Sequence, residues 1–308
     1  MGKKICVKHI SSLDRVVCFG RPGNHPVIDL HVHPDYSIDA KGSVEDFCLK
    51  AVEMGLRGIC FTTHLDTDPD YDDAYVVVNG KRLSVFDGRW LENYESEVRT
   101  AGDSFRDRGL QVRLGVEVDY YPGALEVLPD QFHETEFDLV MGSVHLVDHM
   151  QMSTEKDALT TFRKLSLEEL GERYYGLLTQ CVETGFFDLL GHLDIYRRYG
   201  ERFYGNEIHS LWSSHLKGLT AKMKAHAVGF EVNTSSWRKG MQEPMPESSL
   251  IRALRKSGIT TVTVGSDAHN PADVGADVDR ALDLIRNCGF DAPFDFLKRR
   301  PVMMADIT

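Results

Sequence analysis

The sequence lacks paired cysteines. Its six cysteines are scattered along 308 residues without a Cys-x-x-Cys pair, at Cys6, Cys18, Cys48, Cys60, Cys181 and Cys288. In a chain of this length, such spacing argues against a disulfide framework and favours reduced thiols that are mostly buried. We therefore expect the protein to be cytoplasmic.

Long apolar runs and an excess of basic charge are also missing. The opening stretch MGKKICVKHISSLDRVVCFGRPG has no apolar core of the length that a secretory signal needs, and we expect no membrane span in the rest. The 35 Lys and Arg residues are outnumbered by 47 Asp and Glu residues, which gives a formal net charge of -12. This balance disfavours extended nucleic acid as a partner, although a small anionic ligand on a local basic patch is compatible with it.

The chain repeats one order of elements. Short runs rich in Val, Ile, Leu or Phe do not alternate with polar residues, which is typical of strands that are buried on both faces. The runs lie near residues 27, 58, 112, 138, 188, 229 and 261. Helical patterns lie between them at 43–55, 88–109, 166–185, 206–229, 247–258 and 277–289. This order predicts an α/β fold, a parallel barrel of seven strands.

One domain accounts for most of the chain. Residues 1–24 precede the first strand and are predicted to be an N-terminal extension, and residues 25–308 are predicted to form the barrel domain. An insertion around 66–88 contains Asn79-Gly80 between apolar stretches, which indicates a β-hairpin. Because the insertion follows a strand end, it is placed to act as a lid over the mouth of the barrel.

Histidines and carboxylates stand at the carboxyl ends of the predicted strands. In a barrel those ends converge at one rim, so that residues far apart in sequence meet there. The candidate metal ligands are His31, His33, Asp39, His64, Glu117, His145, His192, Asp267 and His269. One tetrahedral site needs about four ligands, so this set suits two or three divalent ions, with Glu117 able to bridge a pair. Imidazole and carboxylate without thiolate favour Zn, Mn or Fe.

Each of these residues has a simpler explanation when it is taken alone. A single histidine on an apolar strand is more often a hydrogen-bonded core residue, and Glu117 could be the partner in a buried ion pair. The shared position at the same end of each strand favours a metal centre instead. Among the other histidines, His149 follows the fourth strand together with Asp148 and is the best placed to contact the site.

Six motifs carry a family resemblance. In chain order, DLHVHPDYSIDAKGS, FTTHLD, LGVEVDY, GSVH, GHLD and VGSDAH resemble the PHP (polymerase and histidinol phosphatase) superfamily over nearly all of residues 27–290. GVEVDY, NTSSWRKG and GSDAHNPADVG are most similar to monofunctional histidinol-phosphate phosphatases. The resemblance implies a distorted (β/α)7 TIM-like barrel with two or three metal ions at the carboxyl ends of its strands.

The resemblance also implies how the ligands divide among the ions, with Glu117 as a bridge. The implied groups are His31, His33 and Asp267 for the first ion, His145 and His192 for the second, and Asp39, His64 and His269 for the third. Two positions depart from the family pattern. Asp39 stands where these phosphatases often have His, and Trp237 stands where they tend to have a smaller apolar residue. We therefore expect differences in the third metal and in the shape of the substrate pocket.

The predicted function is hydrolysis of a small phosphomonoester, above all L-histidinol phosphate in histidine biosynthesis. Glu117, Asp267 and His269 are the candidate catalytic residues, in a centre where two metals clamp the phosphoryl group and lower the pKa of a shared water. A phosphate dianion needs positive groups besides the metals. The candidates follow the fifth and sixth strands and are Arg197, Arg198, Arg238 and Lys239.

The leaving group suggests two further roles. Asp194 or His269 could protonate the leaving alkoxide, and the sequence does not decide between them. Histidinol carries an amine and an imidazole, so acidic side chains near the mouth would help to bind it. The available residues are Asp66, Asp68 and Asp119.

Three alternatives remain open at this point. A phosphoesterase of the same superfamily could act on another phosphomonoester, or on a small phosphodiester or nucleotide. An amidohydrolase-type hydrolase also begins with His-x-His, but such sites commonly use a carboxylated lysine, and no lysine follows a middle strand here. A metal-stabilised binding module is disfavoured, because structural metal sites are closed and usually rich in cysteine. The expected partner is a small phosphorylated substrate.

Overall fold

Seven parallel strands form a nearly closed barrel in the computed structural model, which describes residues 27–304. The strands, whose order in the sheet is their order along the chain, are β1 (Ile28–Val32), β2 (Gly58–Leu65), β3 (Gln111–Asp119), β4 (Leu139–Ser143), β5 (Leu189–Leu190), β6 (Gly229–Asn233) and β7 (Val262–Gly265). Val32 forms a parallel bridge with Ala268, which brings the end of β7 beside β1. The predicted seven-stranded α/β barrel is confirmed. The extension predicted at 1–24 lies outside the described residues.

The strands are buried on both faces, which explains why their sequences do not alternate. Every residue of β1, β4, β6 and β7 is buried. In β3, Leu114, Val116 and Val118 belong to the large apolar core that includes the helices. Glu117 lies between two of them in sequence and therefore projects from the opposite face of β3, into the barrel.

An extra residue in β1 turns its histidines inward. Asp29 pairs with Ile59 and Val32 pairs with Phe61, so that three steps along β1 match two along β2. This bulge changes the phase of the pleat. As a result, Leu30 joins the smaller apolar cluster inside the barrel, and the very next side chain, that of His31, faces the polar interior.

Ten α-helices accompany the strands within the described residues. They are α1 (Val44–Met54), α2 (Arg89–Phe105), α3 (Asp130–Glu134), α4 (Glu155–Arg163), α5 (Leu167–Glu183), α6 (Arg197–Tyr204), α7 (Leu216–His226), α8 (Ser235–Arg238), α9 (Ser248–Lys256) and α10 (Val278–Asn287). Helix α1 lies within its predicted range: Ser43 Oγ caps its start by accepting from Asp46 N at 3.2 Å, and Gly55 is the cap that follows Met54. None of the described helices has the length and apolar character that crossing a membrane requires.

The helix predicted over 206–229 is wrong in its first half. Residues Gly205–Ser214 form a 3₁₀ segment, and the α-helix begins only at Leu216. The first half contains Asn206 and three serines, whose side chains compete for backbone hydrogen bonds. Ser210 Oγ, for example, donates to the Glu207 carbonyl at 3.0 Å. Helices α3, α4, α6 and α8 were not among the predicted segments.

A C-terminal hairpin fills the amino end of the barrel. Its strands, Phe294–Leu297 and Arg300–Met303, pair antiparallel. The interior apolar cluster comprises Ile28, Leu30, Cys60, Leu139, Met141, Leu189, Phe296 and Met304. Arg113 Nη2 on β3 contacts Asp295 Oδ2 at 2.8 Å and holds the hairpin in place. The apolar cluster therefore lies at the amino end of the interior, and the candidate ligands lie at the carboxyl end.

The insertion after β2 contains the hairpin that Asn79-Gly80 indicated. Tyr75–Val78 pairs antiparallel with Lys81–Ser84, and both turn residues have positive φ, 51° and 73°. Val77 N donates to the Tyr36 carbonyl at 2.9 Å, which joins the hairpin to the loop after β1. The role of a lid over the mouth stays a prediction.

Candidate metal centre

The first group of ligand atoms lies where β1 and β7 end. His31 Nε2 is 2.9 Å from His33 Nε2, and the two atoms lie 3.4 and 3.6 Å from Glu117 Oε2. Asp267 Oδ1 is 3.3 Å from His33 Nε2 and 3.8 Å from His31 Nε2. All four side chains are buried. This arrangement can hold one divalent ion.

The second group lies on the other oxygen of Glu117, where β3, β4 and β5 end. His192 Nε2 is 2.9 Å from Glu117 Oε1, and His145 Nε2 is 3.8 Å from the same oxygen. The two Nε2 atoms are 3.3 Å apart. Because Glu117 offers one oxygen to each group, it is placed to bridge two ions.

The third group lies nearer to solvent, around the ends of β2 and β7. His64 Nε2 is 3.2 Å from His269 Nε2. Asp39 Oδ2 is 3.2 Å from His269 Nε2, and Asp39 Oδ1 is 3.8 Å from His64 Nε2. The ring of His33 stacks on that of His64, with 4.1 Å between the ring centroids, and connects this group to the first. Asp39 thus directs both of its oxygens at imidazoles.

The spacing of the donor atoms fits divalent metal ions. Two imidazole ligands of one tetrahedral zinc ion, each about 2.0–2.1 Å from the metal, have nitrogens about 3.3 Å apart. The three facing pairs of Nε2 atoms are 2.9, 3.2 and 3.3 Å apart. Glu117 Oε2 is buried and accepts no hydrogen bond of regular geometry, but it lies 3.0 Å from His64 Nδ1 and 3.4 Å from His31 Nε2. A carboxylate oxygen with free lone pairs therefore faces the imidazoles of the first and third groups.

Burial and charge oppose each other in this cluster. Burial disfavours a charged His31, but the negative charges of Glu231 and Glu117 prevail and raise the pKa of His31 well above its usual value. Burial and the imidazoles of the third group lower the pKa of His33. Burial opposes the charge of Glu117, yet the surrounding imidazoles hold its pKa well below the usual value. An ion that binds here must displace the proton of His31, so binding weakens as the pH falls.

Two supporting residues were missed by the sequence analysis. Ser143 Oγ donates to Glu117 Oε1 at 2.5 Å, and Glu231 Oε1 lies 2.6 Å from His31 Nδ1. Contacts of this kind orient ligands and fix the protonation of the imidazole. Glu231 did carry a signal, because it is an acidic residue inside the buried run GFEVN.

Three of the four candidate phosphate ligands converge beside Asp267. Arg198 Nη2 donates to Ser235 Oγ at 3.1 Å and lies 3.8 Å from Asp267 Oδ2, whereas its buried Nε has no partner. Arg238 Nη2 donates to a main-chain carbonyl after β7 at 2.7 Å, and its Nη1 has no partner. Partial desolvation and the nearby guanidinium groups lower the pKa of Lys239 to about 8.

Arg197 and Asp194 do not share this environment. Arg197 is 1% exposed, its Nε donates to Asp194 Oδ2 at 2.7 Å, and its Nη2 donates to the Pro244 carbonyl. Asp194 Oδ2 also accepts from Glu247 N at 2.9 Å. This buried ion pair leaves neither side chain free for the phosphate-binding and proton-donating roles considered from the sequence. Because α6 begins at Arg197, the side chains of Arg197 and Arg198 point about 100° apart.

Acidic side chains lie beside the second group. Asp66, Asp119 and His145 bring ligand atoms within 4.8 Å of one another. Burial raises the pKa of Asp66 to about 7. The negative charge of Asp119 also raises it, whereas the imidazoles of His64 and His145 act to lower it. Asp68 Oδ2 is 2.7 Å from His149 Nδ1. Of the three acids suggested for the amine of histidinol, Asp66 and Asp68 follow β2, and Asp119 is the last residue of β3.

Asp148 and Trp237 make their contacts elsewhere. Asp148 pairs with Arg173 of α5. Trp237 Nε1 donates to the Gln242 carbonyl at 3.1 Å, and the guanidinium of Arg280 on α10 lies 3.9 Å from the centre of the indole ring. The contacts of both residues are thus with outer helices and a loop.

Known proteins resemble this chain over most of its length. Residues 29–235 match the PHP domain family. A Deinococcus radiodurans relative, named "Probable histidinol-phosphatase", is 29% identical over 261 residues, which cover 85% of this chain and 93% of the relative. A Lactococcus lactis "Histidinol-phosphatase" is 25% identical over 271 residues, which cover 85% and 91%. The crystal structure of histidinol phosphate phosphatase from Lactococcus lactis with Zn, L-histidinol and phosphate has the same fold (TM-score 0.72, 21% identity, 90% of this chain and 99% of that one).

Proposed function

Because the chain belongs to the PHP domain family, we propose that it is a metal-dependent phosphatase that hydrolyses L-histidinol phosphate to L-histidinol and phosphate. The observation that carries this proposal is the convergence of imidazole and carboxylate ligands beside unpaired guanidinium nitrogens at the carboxyl end of the barrel. The relatives named as histidinol-phosphatases support the choice of substrate.

The cofactors in this proposal are two or three divalent ions, Zn, Mn or Fe. Imidazole and carboxylate ligands without thiolate suit these metals. When bound, such ions polarise a phosphoryl group and lower the pKa of a coordinated water. Glu117 would hold two of the ions, and Asp39 supports a third, because it directs its oxygens at His269 and His64 at 3.2 and 3.8 Å.

The guanidinium groups beside Asp267 would hold the phosphate. Arg198 Nε and Arg238 Nη1 are the unpaired donors, and Lys239 adds a third positive charge. Charge-assisted hydrogen bonds from these groups would bind the dianion and stabilise the charge that develops on its oxygens during the reaction. Ser235 Oγ donates to Asp267 Oδ2 at 3.0 Å and keeps that carboxylate turned towards Arg198.

The acidic side chains would bind the other half of the substrate. Histidinol has a positively charged amine and an imidazole. Asp66 and Asp119 lie close to His145, with Asp119 Oδ1 3.4 Å from His145 Nδ1, whereas His145 Nε2 is the nitrogen that faces Glu117. A cationic ligand would stabilise the charged form of Asp66, whose pKa is raised by burial to about 7. Preference for a cationic ester is the expected consequence.

The amidohydrolase alternative has less support than it had from the sequence. The bridging position that a carboxylated lysine would take is occupied by Glu117, which contacts His31 at 3.4 Å with one oxygen and His192 at 2.9 Å with the other. We also assign the reaction to the cytoplasm, because Cys48, Cys60, Cys181 and Cys288 are free and buried.

Phosphate release from L-histidinol phosphate, measured beside other phosphomonoesters and one phosphodiester with Mn, Zn or Fe, tests the proposal. We expect kcat/KM for L-histidinol phosphate to exceed the others by roughly a hundredfold. His33→Ala should abolish release, whereas His226→Ala, at an exposed position of α7, should not. Phosphate release from other esters alone would overturn the assignment of L-histidinol phosphate as the substrate. No release from any ester would overturn the assignment of the protein as a phosphatase.

A further inference from the structure

Glu231 is a fully buried carboxylate that belongs to none of the three ligand groups. It lies in the middle of β6 and is 0% exposed. Its Oε1 is 2.6 Å from His31 Nδ1. Its Oε2 accepts from His192 N at 3.1 Å and from Asn233 Nδ2 at 3.2 Å. Both oxygens are therefore occupied by contacts with two ligands of different groups and with one amide.

The contact with His31 decides which nitrogen of that ring is free. A carboxylate only accepts hydrogen bonds, so His31 must carry a proton on Nδ1. In the neutral ring, the lone pair is then on Nε2, which is the atom that faces Glu117 Oε2 at 3.4 Å and His33 Nε2 at 2.9 Å. Glu231 thus presents His31 to the first group in the form that binds a metal.

The contact with His192 fixes the backbone at the second group. His192 has φ 20°, an uncommon value for a residue with a side chain, and it follows β5, which is only two residues long. The hydrogen bond from its N–H to Glu231 Oε2 holds this strained residue to β6. The direction of the His192 side chain towards Glu117 therefore depends on Glu231.

The neighbouring strand leaves room for this carboxylate. A Cβ atom at Gly265 of β7 would lie 2.3 Å from Glu231 Oε1 and 2.3 Å from the Cβ of His31. Only glycine permits β7 to pass so close to the pair. The contact between Glu231 and His31 is thus accommodated by β1, β6 and β7 together.

We propose that Glu231 is a positioning residue that sets the ligands of two metal sites at once, His31 through its protonation and His192 through its backbone. The inference rests on the proposed function, since it requires that the ligand groups bind metal. It assigns Glu231 no contact with the ions themselves and no contact with substrate.

Glu231→Gln is a test that keeps the size of the side chain. If the amide oxygen accepts from His192 N and Asn233 Nδ2, the NH₂ group faces His31 Nδ1, which must then accept and move its proton to Nε2. If the amide is reversed, its NH₂ group faces two donors. The first arrangement leaves His31 Nε2 without a lone pair for a metal, and the second removes the acceptor of the His192 N–H. In either case we expect zinc affinity, measured by competition with a chromophoric chelator, to fall by about ten- to a hundredfold.

Asp295→Asn is the matched control, because Asp295 is also a buried, paired carboxylate but lies at the opposite end of the barrel. It should keep the zinc affinity of the wild type even if its thermal midpoint falls. Equal zinc affinity in wild type and Glu231→Gln would overturn the inference. Loss of zinc affinity in both variants to the same extent would also overturn it, since a general loss of stability would then account for the effect.

A crystal structure of the zinc-loaded wild type tests the inference if Glu231→Gln does not fold. Zinc on His31 Nε2, with Glu231 Oε1 still at hydrogen-bonding distance from Nδ1, is the expected result. Zinc on Nδ1, or on Glu231 itself, would overturn it. A wild-type protein that binds no zinc, manganese or iron would instead overturn the proposed function, so the two failures are distinguishable.

Discussion

Arg198 lies between the predicted phosphate site and the candidate metal ligand Asp267. The side chain is 8% exposed and reaches Ser235 Oγ at 3.1 Å and Asp267 Oδ2 at 3.8 Å. Its unpaired Nε would otherwise be a costly buried donor. A bound phosphate would supply the missing acceptor, and the guanidinium would neutralise charge close to the reacting group.

We expect Arg198→Gln to lower kcat/KM for L-histidinol phosphate by about 10²- to 10³-fold, because one charged donor to the developing negative charge is lost. Steady-state phosphate release measures the effect, and metal content should stay unchanged. Arg202→Gln is the control, since Arg202 lies on the same helix but is 70% exposed and pairs with Glu155. Equal kcat/KM values in the two variants would contradict a phosphate-binding role for Arg198.

The charged residues of the cluster should also make the stability of the metal-free protein depend on pH. Burial favours the neutral forms of Glu117 and Asp267, but the imidazoles prevail and hold the pKa values of both well below the ordinary 4.5 and 3.8. The two carboxylates therefore stabilise the folded protein above those values, and this stabilisation is lost as the pH falls. The pKa of His31 is raised by Glu231 and Glu117 although burial acts to lower it. Protonated His31 therefore stabilises the folded protein fully below pH 6.5, and this stabilisation is lost as the pH rises through the pKa of His31 in the folded protein. We expect the thermal midpoint in chelator to fall as the pH drops below about 4.5, and the lowered pKa of His33 acts in the same direction.

Circular dichroism melts across this range measure that dependence. Glu117→Gln should flatten the acid side of the curve, because the variant carboxamide does not titrate. A thermal midpoint that is the same in wild type and Glu117→Gln at every acidic pH would contradict the assigned pKa shift of Glu117.

Among the elements, the C-terminal hairpin has the clearest structural role. It covers the amino end of the barrel, where Phe296, 2% exposed, packs inside with Ile28 and Met141. The bulge in β1 then divides the interior, with Leu30 on the apolar side and His31 on the polar side. The hairpin and the bulge together keep the apolar cluster at the amino end of the interior and the candidate ligands at the carboxyl end.

We expect Phe296→Ala to reduce the free energy of unfolding by about 3–5 kcal/mol, because it leaves a cavity in the interior cluster. Urea unfolding measures the change. Leu297→Ala, one residue along the same hairpin but 47% exposed, should change it by less than about 0.5 kcal/mol. Equal effects of the two substitutions would contradict the assignment of Phe296 to the interior.

For the whole molecule, the sequence was sufficient for the barrel and for the candidate ligands. Buried parallel strands do not alternate apolar with polar residues, and a candidate ligand such as His64 or His192 stands near the end of a predicted strand in the sequence itself. The side-chain directions of Arg197 and Arg198 could not be predicted, because they depend on where α6 begins. The contact of Glu231 with His31, 200 residues away, depends on the closure of the barrel and on the β1 bulge, neither of which has a local signal.

The most direct test of the metal-dependent phosphatase is reconstitution of the purified protein. The protein is stripped with a chelator, and phosphate release from L-histidinol phosphate is followed while Zn, Mn or Fe is added back in known amounts. We expect no release from the stripped protein, and activity that rises with added metal until two or three ions are bound per chain. Full activity in the stripped protein, or none at any metal content, would contradict the account.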